Sequence, residues 1–355
     1  MRILIVENGY RDLILSRVKF GEFLEAKGHQ VFYACPNPIE SNYFHVEMNR
    51  NKLSFIQLLK SAKKLSQIEK SNSIDIVLTY RFIPNVLNYI SSFVNNKIKR
   101  TSVITGLGVA FSIKNIKYRV ISFFIKKFYK LLSYKTSIIT QNPDDLITLG
   151  LTLKGNVVLG SGFQNNKKLT LHSRHKKPED SVTLLYVGRL LKSKGIDDVI
   201  NIFKKVSDYS MNFKLIIVGD IDEHNPDSID DCDLTYINKN PLIEFLGFIE
   251  DLTDVYLRSD VLLFPSKYRE GVPRAIIESL SYGLTIITTN MPGCKECVKS
   301  NGILMDNYNQ EILIDYLKKI NKETLLFNSL ISRNLFETKF SSKVVYPQYE
   351  QIILN

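Results

Sequence analysis

The chain has 355 residues, 44% of them hydrophobic and 23% charged, with a formal net charge of +11. This composition excludes a disordered or low-complexity protein, and the length exceeds what one hydrophobic core carries, so two domains of ordinary size are expected. Four cysteines (Cys35, Cys232, Cys294, Cys297) in so long a chain exclude a disulfide framework, and no apolar run approaches the ~20 residues of a membrane-spanning helix.

In chain order, RILIV (2–6), QVFYA (30–34), DIVLTY (75–80), TSVIT (101–105) and SIIT (137–140) read as buried parallel strands separated by helix-length stretches. MRILIVENGY turns polar too soon for a secretory signal, which points to the cytosol. The pattern restarts with VTLLYV (182–187), FKLIIVG (213–219), VLLFP (261–265) and LTIITT (284–289). Alternation of this kind means doubly wound α/β domains with open parallel sheets, and the restart means two of them. The polar stretch 164–180 is the expected boundary, giving domains 1–170 and 171–340 with a C-terminal helix at 341–355 packing back toward the first. Ligands of such folds bind at the carboxyl ends of strands, and a central cleft between the domains is expected to hold them.

Charge is unevenly spread. Residues 1–180 hold 28 Lys and Arg against 12 Asp and Glu, while 181–355 hold 19 against 24. No acidic residue occurs from Ile76 to Pro143, a span with eleven cations: Arg81, Lys97, Lys99, Arg100, Lys114, Lys117, Arg119, Lys126, Lys127, Lys130 and Lys135. They are expected to bind or border something anionic. Within the span, YRVISFFIKKFYKLLSYK (118–135) sets Val120, Phe123, Phe124, Phe128, Leu131 and Leu132 along one helical stripe flanked by Arg119, Lys126, Lys127 and Lys130. Such a helix either lies on an anionic membrane surface or turns its stripe to the core and its lysines to water.

Two constellations carry chemistry. In GRLLKSKG, Arg189 and Lys194 follow a strand end and precede a helix start near Ile196, where cations and backbone N–H groups suit a diphosphate. In SKYREGVPRAIIESL, Glu270 lies in the loop and Glu278 within the first two turns of a helix begun by Pro273, so two carboxylates border one strand end. Asp220-Ile-Asp222 and Asp231-Cys-Asp233 mimic a metal-binding D-x-D, but both are read as polar-loop residues after FKLIIVG; no metal is expected. Cys294-x-x-Cys297 lacks nearby partners for zinc and is read as two thiols in a loop and short helix.

The order GRLLKSKG, then FLGFIEDLTDVYLRSDVLLFPSKYREGVPRAIIESLSYGLTIITT, then MPGCKECVKSNGILM resembles the retaining glycosyltransferases of family 4, which have the two-domain GT-B fold of two Rossmann-like sheets. The first half, through DLILSRVKFGEFLEAKGHQVFYACP and SVITGLGVAFS, looks like the bacterial subgroup that extends lipid-linked glycans for O-antigen or capsule. The resemblance implies that Glu278 binds the ribose of a UDP-sugar, Glu270 contacts the donor sugar, and Arg189 and Lys194 neutralise the departing diphosphate. Amides of Gly271 and Val272 would assist, and Gly188 and Arg274 join the donor-binding set. It implies a polyprenyl-diphosphate-linked saccharide as acceptor, a hexose or N-acetylhexosamine (N-acetylgalactosamine the first candidate) as the transferred group, and attachment to the inner face of the cytoplasmic membrane.

This chain departs from the family's pattern in two places. SVITGLGVAFS lacks the histidine many relatives carry, and Leu15-Ser16-Arg17 lacks the His that tends to precede the arginine, so Gly106 and Arg17 stand as first-domain cleft residues without that support. A nucleotide-sugar epimerase shares the architecture, and a non-enzymatic basic membrane or nucleic-acid binder shares the charge. The paired Arg-x4-Lys and Glu-x7-Glu favour transfer, no nucleic-acid recognition pattern is present, and ENGYRDL after the first strand is no dinucleotide fingerprint.

Overall fold

The computed structural model describes residues 1–40, 42–48, 54–113, 115–165, 181–210, 212–222, 225–305 and 310–355. Lys114, His172, His175, His224 and residues 166–180 of the boundary stretch lie outside them. Two compact units form, one of Met1–Phe163 with Ser342–Asn355 and one of Gln164–Ser341.

The first unit runs β1 (Arg2–Val6), α1 (Tyr10–Asp12), α2 (Val18–Glu25), β2 (Gln30–Cys35), β3 (Phe44–His45), α3 (Phe55–Ser71), β4 (Ile76–Tyr80), α4 (Phe82–Ser91), β5 (Lys99–Ile104), α5 (Val109–Ser112), α6 (Ile116–Leu132), β6 (Ser137–Thr140), α7 (Pro143–Leu149) and β7 (Gly155–Val157). Its sheet is parallel, in the order β3-β2-β1-β4-β5-β6-β7. Both faces are covered. Ile3 and Ile5 enter the core built with α2, while Leu4 and Val6 enter the one built with α3 and α4. Alternate residues of a strand point to opposite faces, so a continuous apolar run such as RILIV is what a doubly covered strand requires.

The second unit runs β8 (Val182–Val187), α8 (Ile196–Tyr209), β9 (Phe213–Val218), α9 (Asp231–Lys239), β10 (Ile243–Phe245), α10 (Thr253–Arg258), β11 (Val261–Phe264), α11 (Arg274–Ser281), β12 (Thr285–Thr289), β13 (Gly302–Met305), α12 (Gln310–Lys319) and α13 (Lys322–Leu335). Its parallel sheet has the order β10-β9-β8-β11-β12-β13. The last helix, α14 (Ser342–Leu354), belongs to the first unit, where Val345, Tyr346, Tyr349 and Ile353 pack with Phe20 and Leu24 of α2. Two doubly wound parallel α/β units are thus present, as the strand-helix alternation requires.

Four strands escaped the sequence reading, for local reasons. β3, β7 and β10 have two or three residues each, too few to show a period. β13 opens on Gly302, where a Cβ would lie 1.8 Å from the carbonyl oxygen of Ile286. Close backbone approach therefore demands the residue that ordinarily argues against a strand.

Not all the cations of the acid-free span face outward. Arg100 is buried in α3–α4 packing, its Nη1 and Nη2 each 2.9 Å from an oxygen of buried Glu69, with Asn88, Ser91 and Asn95 completing the network. Arg81 pairs with Glu7 and Asp12. The helix expected at 118–135 is α6, and its stripe is corrected in part. Val120, Phe123, Phe124 and Leu131 are exposed, with Ile116 beside them, but Leu132 is fully buried and Phe128 half-buried against Phe82 and Tyr89. Phe128 and Leu132 thus belong to the core-facing side of the helix.

Candidate active site

In the second sheet β8 and β11 are neighbours, yet β8 leads on to β9 and β11 to β12, on opposite sides. This is a topological switch point, and open α/β sheets hold their ligands between the loops that leave two such strands. Both chemical motifs of the sequence sit on those loops.

Behind β8 the chain must turn sharply. Gly188 lies against β9, where a Cβ on Gly219 (φ 149°) would fall 1.8 Å from the Gly188 carbonyl oxygen. The buried Tyr186 hydroxyl donates to the Arg189 carbonyl at 2.8 Å and fixes the loop from below, its phenol held protonated chiefly by burial. The Arg189 side chain emerges more than half exposed, Nη1 3.7 Å from Asp222 Oδ2. Gly195 (φ 81°) then starts α8 at a place where a Cβ would meet the Pro265 carbonyl oxygen at 2.3 Å. That approach draws the β8 loop onto the β11 loop.

The contact between the loops is ionic. Lys194 Nζ lies 2.5 Å from Glu270 Oε1, with both side chains largely shielded, and Ser266 Oγ donates to the same oxygen at 3.0 Å. Lys194 also stands 5.2 Å from the Tyr268 ring centroid. Lys267 adds a second tie, 3.0 Å from Asp197 and 2.9 Å from Asp198 in the first turn of α8. The Gly271 end of the loop is braced by Gly293 (φ 89°), where a Cβ would fall 1.6 Å from the Gly271 carbonyl oxygen. Gly271 and Val272 are buried just ahead of α11.

Pro273 is the N-cap, with ψ 127°, and not the first helical residue; α11 begins at Arg274. Proline's fixed φ near −63° suits either position, so the sequence could not separate them. Glu278, in the second turn, is nearly buried: Tyr256 donates to Oε2 at 3.0 Å and Arg274 Nε contacts Oε1. Tyr256 stacks on Tyr282, ring centroids 5.0 Å apart. Burial and then Glu278 push the Tyr256 phenol well above its ordinary value, so it remains a donor.

The structure thus joins Lys194 to Glu270 and Arg274 to Glu278, and sets Arg189 on the same β8 loop as Lys194. Arg17 and Gly106 belong to the first unit. The Arg17 guanidinium is buried, 3.0 Å from Glu7, donating to Ser161 at 2.8 Å and lying 3.7 Å from the Tyr80 ring centroid. Gly106 (φ 107°) follows β5 in a conformation that favours glycine. Ser266 and Tyr256 are polar residues the sequence reading did not single out; Ser-x3-Glu ahead of the turn was the available signal for the first.

One carboxylate of each D-x-D is an ion-pair partner. Asp222 faces Arg189 and Asp233 pairs with Lys204 at 3.3 Å; Asp231 and Asp233 lie in the first turn of α9 and not in a loop, a correction to the sequence reading. Among the described residues, no group of three or more His, Cys, Asp or Glu side chains is arranged to hold a metal ion. Cys294 caps and Cys297 ends a single 3-10 turn, both buried and both with thiol pKa raised by burial.

Cations from one switch-point loop and carboxylates beyond the next strand, on a doubly wound sheet, fit an enzyme of the GT-B class, whose solved members share this fold. Residues 167–334, nearly all of the second unit, match the family described as "Glycosyl transferases group 1", which makes that unit a glycosyltransferase domain. Across its length the chain is similar to the capsular polysaccharide biosynthesis glycosyltransferase CapM of Staphylococcus aureus, 25% identical over 93% of this chain and 91% of the relative. It is also similar to the N,N'-diacetylbacillosaminyl-diphospho-undecaprenol alpha-1,3-N-acetylgalactosaminyltransferase of Campylobacter jejuni, 23% identical over 72% and 69%. In fold it matches Anabaena HepE, solved in complex with UDP and glucose, with a TM-score of 0.75 at 14% identity over 99% of this chain and 98% of that one.

Proposed function

We propose that this chain is a glycosyltransferase that moves a hexose or N-acetylhexosamine, with N-acetylgalactosamine the first candidate, from a UDP-sugar to a polyprenyl-diphosphate-linked saccharide in the building of a bacterial surface polysaccharide. The observation that carries the reading is the Lys194–Glu270 pair at the β8/β11 switch point, with Arg189 on the same loop. The named activities of the capsular and N-acetylgalactosaminyl relatives, and the UDP and glucose bound by HepE, support the donor and the acceptor class.

The chemistry follows from charge. As the bond between the anomeric carbon and the phosphate oxygen breaks, negative charge grows on the diphosphate, and Arg189 and Lys194 stabilise it without a metal ion. Ser266 and Lys194 fix Glu270 so that its carboxylate accepts from donor-sugar hydroxyls. Glu278, oriented by Tyr256 and Arg274, takes the ribose hydroxyls. The acceptor oxygen bonds to the anomeric carbon on the face the phosphate leaves, its proton passes to the departing phosphate oxygen, and configuration is retained. Neither glutamate acts as a covalent nucleophile, in contrast to a retaining glycosidase.

The membrane side of the reading rests on the first unit. α6 exposes Ile116, Val120, Phe123, Phe124 and Leu131 among Lys117, Arg119, Lys126, Lys127 and Lys130, and Phe93 and Val94 just beyond α4 are exposed as well. Among the described residues no helix is long and apolar enough to cross a membrane, and this basic apolar surface suits peripheral attachment to an anionic leaflet.

The test is a panel of UDP- and GDP-sugars incubated with the purified protein, following release of nucleoside diphosphate and transfer to a synthetic polyprenyl-diphosphate sugar, with and without a chelator. UDP release and chelator-resistant transfer are expected. An epimerised free sugar with no transfer would overturn the reading, and loss of activity on chelation would overturn its metal-independent form.

A further inference from the structure

Three strands that are consecutive in the second sheet, β9, β8 and β11, lead to segments that meet at Ser193. Ser193 is the middle residue of a 3-10 turn, Lys192–Lys194, whose N-cap Leu191 offers no capping side chain and which ends on left-handed Gly195. So short a turn closes few hydrogen bonds of its own and takes its position from its neighbours. From the β11 side, the Lys267 amide donates to the Ser193 carbonyl at 2.9 Å. From the β9 side comes Asp227. Its carbonyl accepts from the Lys192 amide at 2.8 Å, and its Oδ2 accepts from the Ser193 amide at 3.2 Å and from the Ser193 hydroxyl.

Asp227 is itself held in place. Its amide donates to Asn225 Oδ1 at 3.0 Å, and the Asn225 amide donates to the Asp222 carbonyl at 2.9 Å. Alongside, Leu191 and Ser228 form an antiparallel bridge, and the Ile229 amide donates to the Leu190 carbonyl at 2.9 Å. Residues 225–229 thus run as a strap along 190–193. The Leu190 amide donates to the Asp220 carbonyl at 3.0 Å, and Asp222 faces Arg189. The acidic stretch that mimics a metal site is therefore tied to the loop that carries both proposed diphosphate cations.

The backbone strap alone would hold the entry to the turn, at Leu190 and Lys192. Asp227 adds a carboxylate oxygen that takes both donors of Ser193, the residue next to Lys194, and hydrogen bonds to a charged acceptor are the strong ones. Lys194 Nζ lies 2.5 Å from Glu270 Oε1, and a displacement of about 1 Å in a positioned group already costs a large factor in rate. We propose that Asp227 is a positioning residue of the donor site, which fixes the 192–194 turn and so aims Lys194 at Glu270 and at the diphosphate. The diphosphate part of this inference rests on the transferase reading above; the aiming of Lys194 does not.

The experiment has two arms on the full chain. One follows consumption of a UDP-sugar; the other follows acetylation of each lysine by N-hydroxysuccinimidyl acetate without donor, read by peptide mass mapping, with exposed Lys319 as internal reference. Asp227→Ala is expected to raise Lys194 acetylation and to lower kcat/KM, each about tenfold, as for loss of a hydrogen bond to a charged group. Asp227→Asn keeps an acceptor oxygen and should recover most of both, with melting curves confirming the fold. In a Lys194→Ala background, Asp227→Ala should change kcat/KM by less than about twofold, because a residue that acts through Lys194 then has nothing to position. An equal loss in both backgrounds, no recovery in the Asn variant, or Lys194 acetylation that Asp227→Ala leaves unchanged overturns the proposal. A wild type that consumes no donor overturns the transferase reading instead, and the acetylation arm still decides whether Asp227 aims Lys194.

Discussion

Lys194, on the loop that leaves β8, and Glu270, on the loop that leaves β11, meet with Nζ 2.5 Å from Oε1. They are 76 positions apart in sequence, and the two strands that deliver them are adjacent in the sheet. The pair sets the position of both groups before any donor arrives. Lys194→Ala and Glu270→Ala should each lower kcat/KM about 10²- to 10³-fold, in line with removal of one electrostatic contact at a transition state. Because the two groups share one contact, the double variant should fall well short of the product of the single effects. A double-mutant cycle on UDP release checks this, and near-normal rates for both single variants would refute the assignment.

Glu278 behaves differently, since its carboxylate is nearly buried between Tyr256 and Arg274. Removing it exposes a cost in the apo fold as well as in binding. Glu278→Ala should destabilise the protein by about 1–3 kcal/mol, the range for leaving a buried polar partner unsatisfied, and weaken UDP binding. Tyr256→Phe, which keeps the ring stack on Tyr282, should show a smaller part of both. Calorimetric titration with UDP and urea unfolding of the same samples separate the two effects.

The buried Glu69–Arg100 pair, in the unit that does not carry the proposed donor residues, predicts a pure stability phenotype. Arg100→Met leaves Glu69 charged and buried, at about 3–5 kcal/mol. Converting both, Glu69→Met with Arg100→Met, should recover part of that loss. Urea midpoints measure it, and UDP release per folded molecule should stay level.

Membrane attachment gives a charge-dependent expectation. Each cation near an anionic surface contributes about 1 kcal/mol, so the triple change of Lys126, Lys127 and Lys130 to Glu should abolish flotation with phosphatidylglycerol vesicles. Phe123→Ser with Phe124→Ser should weaken it at every salt concentration, because those side chains act through apolar burial. No preference for anionic over neutral vesicles in the wild type would sink the idea.

Thiol reactivity follows from burial. Cys232 is exposed, whereas Cys35, Cys294 and Cys297 are buried, with Cys35 pushed up to about 11 and the other two also raised by desolvation. A raised thiol pKa keeps the group protonated and unreactive at pH 8, so native alkylation by iodoacetamide should favour Cys232 on the order of a hundredfold. Peptide mass mapping checks this, and early labelling of Cys294 or Cys297 would mean that the turn at 295–297 opens.

The sequence by itself determined the fold class and brought out the residues proposed for the donor chemistry. Runs such as RILIV and VTLLYV are apolar on both faces, and only a strand covered from both sides stabilises that pattern. Arg189, Lys194, Glu270 and Glu278 could be picked out because each motif sits within a few residues of a strand end or a helix start, a distance that local rules span. What only the tertiary structure decided depends on pairings remote in sequence. That Phe128 and Leu132 leave the exposed stripe of α6, and that Arg100 is silenced by Glu69, follow from neighbouring helices and not from period. That Asp227 reaches Ser193 depends on β9 lying beside β8, a register set by hydrogen bonds between strands that no local pattern encodes.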